Sequence, residues 1–561
     1  MEIALAPEIP TYSGGLGVLA GDTLRSAADL SVPMVAVSLA HRKGYFTQKL
    51  DATGAQSESA TAWEPSELLP ELKPRVSVEI EDREVFIRAW RFDVQGLLGH
   101  VIPVYLLDTD VEGNSEFDRT VTDQLYGGDS HYRLCQELVL GMGGARMLRA
   151  LGHGTIEKYH MNEGHSALLA LELLEEEIDG RALDTVTAAD MDKVRTRCVF
   201  TTHTPVPAGH DRFEGDLVRR VLGEERSSAL RQGGCYEDGS LNMTYLALRG
   251  SSYINGVAML HGEVSQGMFP AFPISAITNG VHATTWTAPP LAELYDRHIP
   301  EWRRDNVYLR YALGIPVTEI RAAHRAAKRN LLAKVNERGG AALSPDVFTI
   351  GFARRAATYK RADLIFSNPE RVRWIAENVG PFQVIYGGKA HPADDGGKQM
   401  IERVFRAAEA LKDAVKVIYI EDYDWEWGQL LTSGVDLWLN TPRRPQEASG
   451  TSGMKAALNG VPSLSILDGW WVEGCLEGVT GWSIGHGGQI DEDAAAEAGS
   501  LYDKLETGIL PLFYGSRTGY GEVMRSAVAV NGSFFNTRRM VSQYVINAYF
   551  PGAPIDVRLA E

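Results

Sequence analysis

Cysteine is scarce in this sequence: Cys135, Cys198, Cys235 and Cys475 are scattered through 561 residues, and no two form a Cys-x-x-Cys pair. That spacing argues against a disulfide framework or a zinc site, leaves four reduced thiols as the expectation, and gives no metal site. Long apolar runs are lacking too, with nothing approaching the ~18 residues needed to cross a bilayer. The opening Met1-Glu2-Ile-Ala-Leu-Ala-Pro7 has neither the basic nor the apolar region of a secretory signal, so a cytoplasmic location is expected. Positive charge is in deficit, with 55 Lys+Arg against 73 Asp+Glu and a net −18. A field of that sign disfavours nucleic acid and anionic membranes as partners, although it allows a local basic pocket. Internal repeats and low-complexity segments are absent.

What remains is an ordinary globular composition, 44% apolar and 23% charged, on a chain too long for one core. Two large domains are expected. In the second half, short β-branched runs alternate with segments of helical spacing. Phe348–Ala353, 383–386, 416–420, 436–440 and 463–466 each read as a buried strand of a parallel, doubly wound sheet. The first half is more interrupted, with candidate strands at 33–37, 101–107, 198–202 and 274–277 and an antiparallel hairpin decorating it at 76–94. The chain opens on what reads as the end of an apolar strand, which suggests that this chain or its relatives carry more strand upstream. Residues 285–305, with Pro289-Pro290, are the expected crossing between domains 1–284 and 285–561, and a long helix is expected over 318–338. Two Rossmann-like domains would place a ligand cleft between the carboxyl ends of their strands.

Three constellations suit such a cleft. Ser13-Gly14-Gly15-Leu-Gly-Val-Leu-Ala20 contains Gly-x-Gly-x-x-Ala, but no acidic residue follows the next strand to hold a ribose. A dinucleotide site is therefore disfavoured. A phosphate held by backbone N–H groups at a helix start, or a ligand-free tight turn, both fit. Arg354-Arg355-Ala-Ala-Thr-Tyr359-Lys360-Arg361 crowds four cations after a strand, with Gly387-Gly388-Lys389 after the next. Such crowding costs energy unless an anion offsets it or the face is fully solvated. Glu447-Ala-Ser449-Gly450-Thr451-Ser452-Gly-Met-Lys455 starts a helix whose free N–H groups and Thr451 hydroxyl suit a phosphate. Lys455 then stands in an apolar setting, where desolvation would free its amine for pyridoxal 5′-phosphate; a surface lysine is the plainer alternative. His203, Asn279 and 162–165 punctuate strand ends, as caps or as ligand contacts. Trp470-Trp471 suits either sugar stacking or the core.

Taken together these segments resemble the α-glucan (glycogen, starch, maltodextrin) phosphorylases, and most closely their short prokaryotic branch. The motifs are Ser-Gly-Gly-Leu-Gly at 13–17, Asn-Glu-Gly-His at 162–165, Thr-His-Thr at 202–204 and Thr-Asn-Gly-Val at 278–281. They continue with Tyr-Lys-Arg at 359–361, Gly-Gly-Lys-Ala at 387–390, Glu-Ala-Ser-Gly-Thr at 447–451, and residues 531–538 with a closing helix through Tyr544. The resemblance covers essentially the whole chain, in order.

It implies an α/β fold of GT-B type. Two Rossmann-like doubly wound domains, 1–284 on the glucan and phosphate side and 285–561 binding PLP, enclose an active-site cleft, and the final helix packs back on the first. It implies a glycosyltransferase that phosphorolyses terminal α-1,4-linked glucose to α-glucose 1-phosphate with retention. Its partners would be α-1,4-glucan and inorganic phosphate, and a homo-oligomer is left open. Lys455 falls on the PLP-lysine position. Thr451, the backbone around Ser452, and Gly15 fall on the positions holding the cofactor phosphate, and Gly14 and Gly15 on positions that bind substrate. Arg355 and Lys360 fall on positions holding substrate phosphate, Lys360 also reaching the cofactor phosphate. His203 and Asn279 match residues facing the sugar 6-hydroxyl; Tyr359, Glu447, Ser449 and Gly450 match those around the 2-, 3- and 4-hydroxyls; Tyr423 packs near the cofactor. Arg354 stands where the long forms carry lysine, and Thr-Ser-Gly-Met-Lys replaces their Thr-Gly-Asn-Met-Lys. A counterpart of their amino-terminal regulatory extension is not seen, so no phosphorylation switch of that kind is expected. Two other readings share the fold: a nucleotide-sugar-dependent glucosyltransferase of glycogen-synthase type, and a catalytically silent glucan-binding homologue.

Overall fold

The computed structural model describes residues 1–61, 63–339, 342–485 and 493–551; the side chains of residues 208, 339 and 517 are outside the description. It is a mixed α/β, Rossmann-like architecture with parallel sheets. In the second half, six parallel strands follow the order Lys416–Ile420, Phe382–Gly387, Phe348–Ala353, Leu437–Asn440, Ser463–Ile466, Gly481–Ile484. Numbered along the chain that is 3-2-1-4-5-6, and the order reverses between Phe348–Ala353 and Leu437–Asn440. All residues of Phe348–Ala353 and Phe382–Gly387 are buried, as expected of strands covered on both faces. The crevice beyond the carboxyl ends at such a reversal is where doubly wound sheets bind ligands.

The helix Val317–Gly339 packs on Trp425–Gly434 and Arg517–Ser526. It is tied to the sheet by a buried triad: Asp436 Oδ2 accepts from Lys328 Nζ at 2.5 Å and from Thr349 N at 2.8 Å, and His324 Nε2 lies 3.1 Å from Asp436 Oδ1. Each of the three side chains in it is buried, so loss of one partner would strand a charge in the core.

The first half holds two four-stranded sheets. One is parallel, in the order Ser275–Ala276, Tyr253–Gly256, Cys198–Thr201, Tyr159–Asn162; the other is mixed, in the order Ala36–Leu39, Val101–Asp108, Arg83–Gln95, Val76–Ile80. Helix Gly15–Asp29 and the closing helix Thr537–Tyr544 pack together, with Ser26 Oγ and Thr537 Oγ1 2.6 Å apart. Tyr544 OH joins Thr201 Oγ1 and accepts from Asn255 Nδ2, so the end of the chain is bonded to the parallel sheet of the first half.

Several sequence expectations are corrected. Met1–Leu5 is buried but forms no strand. The strand expected at 33–37 lies at Ala36–Leu39, because the pairing partner Val101–Asp108 sets its register. The hairpin at 76–94 is integral rather than decorative, since the long strand Arg83–Gln95 continues into an antiparallel ladder with Val101–Asp108. The expected crossing segment contains a helix, Pro289–His298; two prolines are tolerated in its first turn, where their absent N–H groups have no intrahelical partner. Strands Tyr159–Asn162, Tyr253–Gly256 and Gly481–Ile484 were not foreseen. All four cysteines are free thiols, and no described helix is long and apolar enough to cross a membrane.

Candidate active site

The basic segment leaves strand Phe348–Ala353 and meets the loop that leaves Leu437–Asn440. Arg354 Nη1 lies 2.6 Å, and Lys360 Nζ 2.5 Å, from the same oxygen, Glu447 Oε2. All three groups are buried or nearly so. Burial alone would raise the Glu447 pKa, but Arg354 and Lys360 outweigh it and hold the carboxyl down at about 2. The anion that offsets the crowded cations is thus one of the protein's own carboxylates. Arg354 also donates to Asn440 Oδ1. Lys389, counted in the same basic cluster from sequence, is engaged elsewhere, with Asp422 at 2.6 Å and the Phe46 carbonyl at 2.9 Å. Arg361 turns away to Glu497.

Arg355 differs from these. It is exposed to solvent within walls of protein, and among the described residues it forms no ion pair; its near neighbours are the phenols of Tyr359 and Tyr45. Lys360 Nζ stands 4.4 Å over the Tyr359 ring. Burial would raise the Tyr359 phenol, yet Lys360 and Arg355 hold it below its ordinary value. Gly388 makes the close approach of the second loop possible: at φ +133°, a Cβ there would lie 1.8 Å from the Arg354 carbonyl oxygen.

Gly450, at φ +89°, sets the start of helix Thr451–Leu458 and provides no side chain to cap it. The first N–H groups of that helix therefore stay available to an anion. Ser452 Oγ is used internally, accepting from Trp438 Nε1 at 3.1 Å. Lys455, one turn in, is buried, and no acceptor or carboxylate among the described residues reaches its amine. Its Nζ stands 3.7 Å from the Trp286 ring centroid. Burial, only partly opposed by Asp22, lowers its pKa to about 8. Asp22 in turn accepts from Trp286 Nε1 at 2.7 Å. The helix Gly15–Asp29 that carries Asp22 touches the Lys455 helix, which brings the glycine turn to the same place. Glu2 is the acceptor for that turn, taking Ser13 N at 2.6 Å and Gly14 N at 3.1 Å. Tyr423 packs against Gly387 and Gly428 beside Arg354 and Tyr12.

Across the site, His203 Nε2 lies 2.5 Å from Asn162 Oδ1, and its backbone N–H donates to Glu163 at 2.5 Å. Burial pushes its imidazole down to about 3, so the ring is neutral at physiological pH. His203 and Asn279 share a cavity lining, but no direct bond joins them to the Lys360–Glu447–Arg354 cluster. Asn279 Oδ1 and Ser449 Oγ are buried with no hydrogen-bond partner. Two orphaned polar atoms of this kind suit a hydroxyl-rich ligand. Trp470 and Trp471 are core residues, 2% and 0% exposed.

Several participants at the site have no motif to mark them in the sequence. Arg539 of the closing helix donates to the carbonyls of Thr278 at 2.6 Å and Asn279 at 3.0 Å, fixing the Asn279 turn from 260 positions away. Asp468 accepts from Glu447 N and Gly469 N, both at 2.9 Å, and burial raises its pKa to about 7. Glu2, Asp22, Trp286 and Arg539 carry no local signal.

Comparison with known proteins places these features. The family described as carbohydrate phosphorylase matches residues 224–480. A maltodextrin phosphorylase of Thermococcus litoralis is 39% identical, over 98% of this chain and 70% of its own length. A glycogen phosphorylase of Mycobacterium tuberculosis is 39% identical over 99% and 70%, and one of Aquifex aeolicus 34% over 98% and 85%. With such relatives along nearly its full length, and its basic segment, uncapped helix and buried lysine gathered at one sheet reversal, the chain belongs to the carbohydrate phosphorylase family.

Proposed function

We propose that the chain is an α-glucan phosphorylase that uses inorganic phosphate to release terminal α-1,4-linked glucose as α-glucose 1-phosphate. In this reading it is a GT-B enzyme of two Rossmann-like halves, 1–284 and 285–561, working in the cytoplasm on a neutral glucan. One observation carries the reading. Arg355, the Lys360–Glu447 pair, the uncapped start of Thr451–Leu458 and the unpaired amine of Lys455 meet where the six-stranded sheet reverses.

The residues fit pyridoxal phosphate. Lys455 is sequestered without an ion-pair partner among the described residues, and at a pKa of about 8 an appreciable share of its amine is uncharged just above neutral pH. Thr451, the backbone at Ser452 and Gly15 would hold the cofactor phosphate, Arg354 and Lys360 would stand beside it, Tyr423 would pack near the ring, and Gly14 would face the substrate. When bound, the cofactor supplies a phosphate whose second pKa near ~6 suits proton exchange close to neutral pH.

The protein's own groups do the rest. Arg355 holds inorganic phosphate through a guanidinium that forms no ion pair among the described residues. Lys360, held on Glu447, places a second positive charge between the anions, which a low-dielectric site rewards strongly. Neutral His203, fixed by Asn162, and the orphan Asn279 Oδ1 face the sugar at one end; Tyr359, Glu447, Ser449 and Gly450 face its ring hydroxyls at the other. In the reaction the C1–O4 glycosidic bond breaks, the substrate phosphate gives its proton to the leaving oxygen, and a phosphate oxygen bonds C1 on the same face.

The test is the absorption spectrum of the purified protein, read for bound pyridoxal phosphate, with an assay of phosphate-dependent glucose 1-phosphate release. Both signals are expected. A nucleotide-sugar transferase would lack both, and a silent glucan binder would lack the second.

A further inference from the structure

A hairpin of the first half lies against the second. Its strands, Thr47–Leu50 and Gln56–Ser59, pair with each other and, among the described residues, with no other strand. Two strands alone are marginal in water, so the hairpin depends on what it packs against. The register puts Gln48, Leu50, Gln56 and Glu58 on one face, because directly opposed residues share a side of the ladder. That face meets the loops after Phe382–Gly387 and Lys416–Ile420. Leu50 packs on the core cluster that contains Phe352 and Tyr386, and its N–H donates to Glu421 at 2.8 Å. Glu58 pairs with Lys398 at 2.8 Å.

The two glutamines of that face bond to main chain. Gln48, fully buried, accepts from Asp422 N at 3.0 Å through Oε1, and its Nε2 donates to the Gly388 carbonyl at 3.1 Å and to Gln56 Oε1 at 2.8 Å. Gln56 pairs with a single residue as a neighbouring strand would. Its Oε1 accepts from Ala390 N at 3.0 Å, and its Nε2 donates to the Ala390 carbonyl at 2.9 Å. Since Asp422 N and Ala390 N can only donate, they fix which end of each amide is oxygen. Lys389 joins the same contact, donating to the Phe46 carbonyl at 2.9 Å.

The turn held in this way holds the basic segment. Arg354 N donates to the Gly387 carbonyl at 3.0 Å, and Ala356 N to the Lys389 carbonyl at 2.9 Å. The residue between them is Arg355, whose guanidinium forms no ion pair among the described residues. With no carboxylate to anchor its tip, Arg355 depends for its place on the main chain that carries it.

We propose that Gln48 and Gln56 are positioning residues of the phosphate site, fixing the main chain on either side of Arg355 through the Gly387–Ala390 turn. The inference rests on the reading that Arg355 holds inorganic phosphate. An apolar contact would bury area but leave the turn free to slide, whereas an amide that matches a backbone N–H and C=O sets its position to hydrogen-bond precision. That precision matters for a small anion, because a misplacement of about 1 Å in a binding group is felt strongly.

The experiment compares Gln56→Met, Gln48→Met and Leu50→Ala with the wild type, each as the whole chain loaded with pyridoxal phosphate and below its own Tm. In both glutamine variants, hydrogen exchange of the Arg354 and Ala356 amides is expected to speed up at least about tenfold. The KM for inorganic phosphate should rise at least about fivefold, with the KM for glucan within about twofold. Leu50→Ala loosens the same face without touching an amide, so it should lower Tm and leave the KM for phosphate within about twofold. Unchanged exchange or an unchanged phosphate KM in the glutamine variants would overturn the proposal. So would an equal rise of both KM values, or a rise as large in Leu50→Ala, because loose docking of the hairpin would then account for it. A wild type that releases no glucose 1-phosphate would instead sink the assigned reaction, and the exchange readout, which needs no turnover, keeps the two failures apart.

Discussion

The amine of Lys455 stands 3.7 Å from the centroid of Trp286, whose indole N–H is donated to Asp22 at 2.7 Å, and no described carboxylate pairs with the lysine itself. A buried cation faced by a ring and one indirect carboxylate is poorly compensated in the folded protein without ligand. Lys455→Met should therefore abolish cofactor retention and turnover while melting at or above the temperature of the cofactor-free wild type. The sign is set by the lowered pKa. Between about 8 and 10.5 the folded state binds fewer protons than the unfolded one, so the wild type gains stability on the variant as pH rises through that window. Melting curves from pH 7 to 10.5 check it.

Glu447 has the opposite role, a single oxygen holding two cations. Glu447→Gln leaves Arg354 and Lys360 unpaired and should cost about 3 kcal/mol of stability. Added inorganic phosphate should raise the Tm of the variant more than that of the wild type, since an anion then replaces the carboxylate. With its carboxyl held at about 2, the stabilising effect of Glu447 is complete above pH 4.5 and is lost as pH falls towards 2. The variant should lack that limb in acid melting curves.

Arg355 is exposed and bears no ion pair among the described residues, so Arg355→Ala should leave Tm within about 1 °C. The KM for phosphate should rise at least about tenfold, with the KM for glucan within about twofold, as initial rates over a grid of both substrates would show.

Arg539 reaches the site through the carbonyls of Thr278 and Asn279. Arg539→Met should cost about 2 kcal/mol by stranding buried acceptors, and should raise the KM for glucan more than that for phosphate. Arg539→Lys should recover part of the glucan effect, a partial rescue that a general loss of packing would not give.

Four of the five strands expected after residue 346 are legible because strands buried on both faces are written as continuous apolar runs; the fifth, the edge strand Lys416–Ile420, is only partly buried but carries the same β-branched run. The sixth, Gly481–Ile484, is not legible, since a glycine, a tryptophan and a serine give no such run. The first half was harder to read for a related reason: Tyr159–Asn162 and Tyr253–Gly256 carry histidine, asparagine and glycine that serve the site or the closing helix rather than the core. Within the site, residues beside glycines and strand ends stood out. Arg539 and Asp22 did not, because their roles depend on contacts made across more than 250 positions. The basic segment was visible, but its internal counterion was not, because nothing in the sequence pairs Arg354 with a carboxylate 93 positions on, at Glu447.

Incubation of the pyridoxal phosphate-loaded protein with a linear α-1,4-glucan, with and without inorganic phosphate, tests the central claim most directly when the product is read by phosphorus NMR. The account predicts α-glucose 1-phosphate in the complete mixture only, and none from the Lys455→Met variant. Glucose 1-phosphate formed equally well by that variant, or a complete mixture that yields none while a nucleotide sugar is consumed in its place, would contradict it.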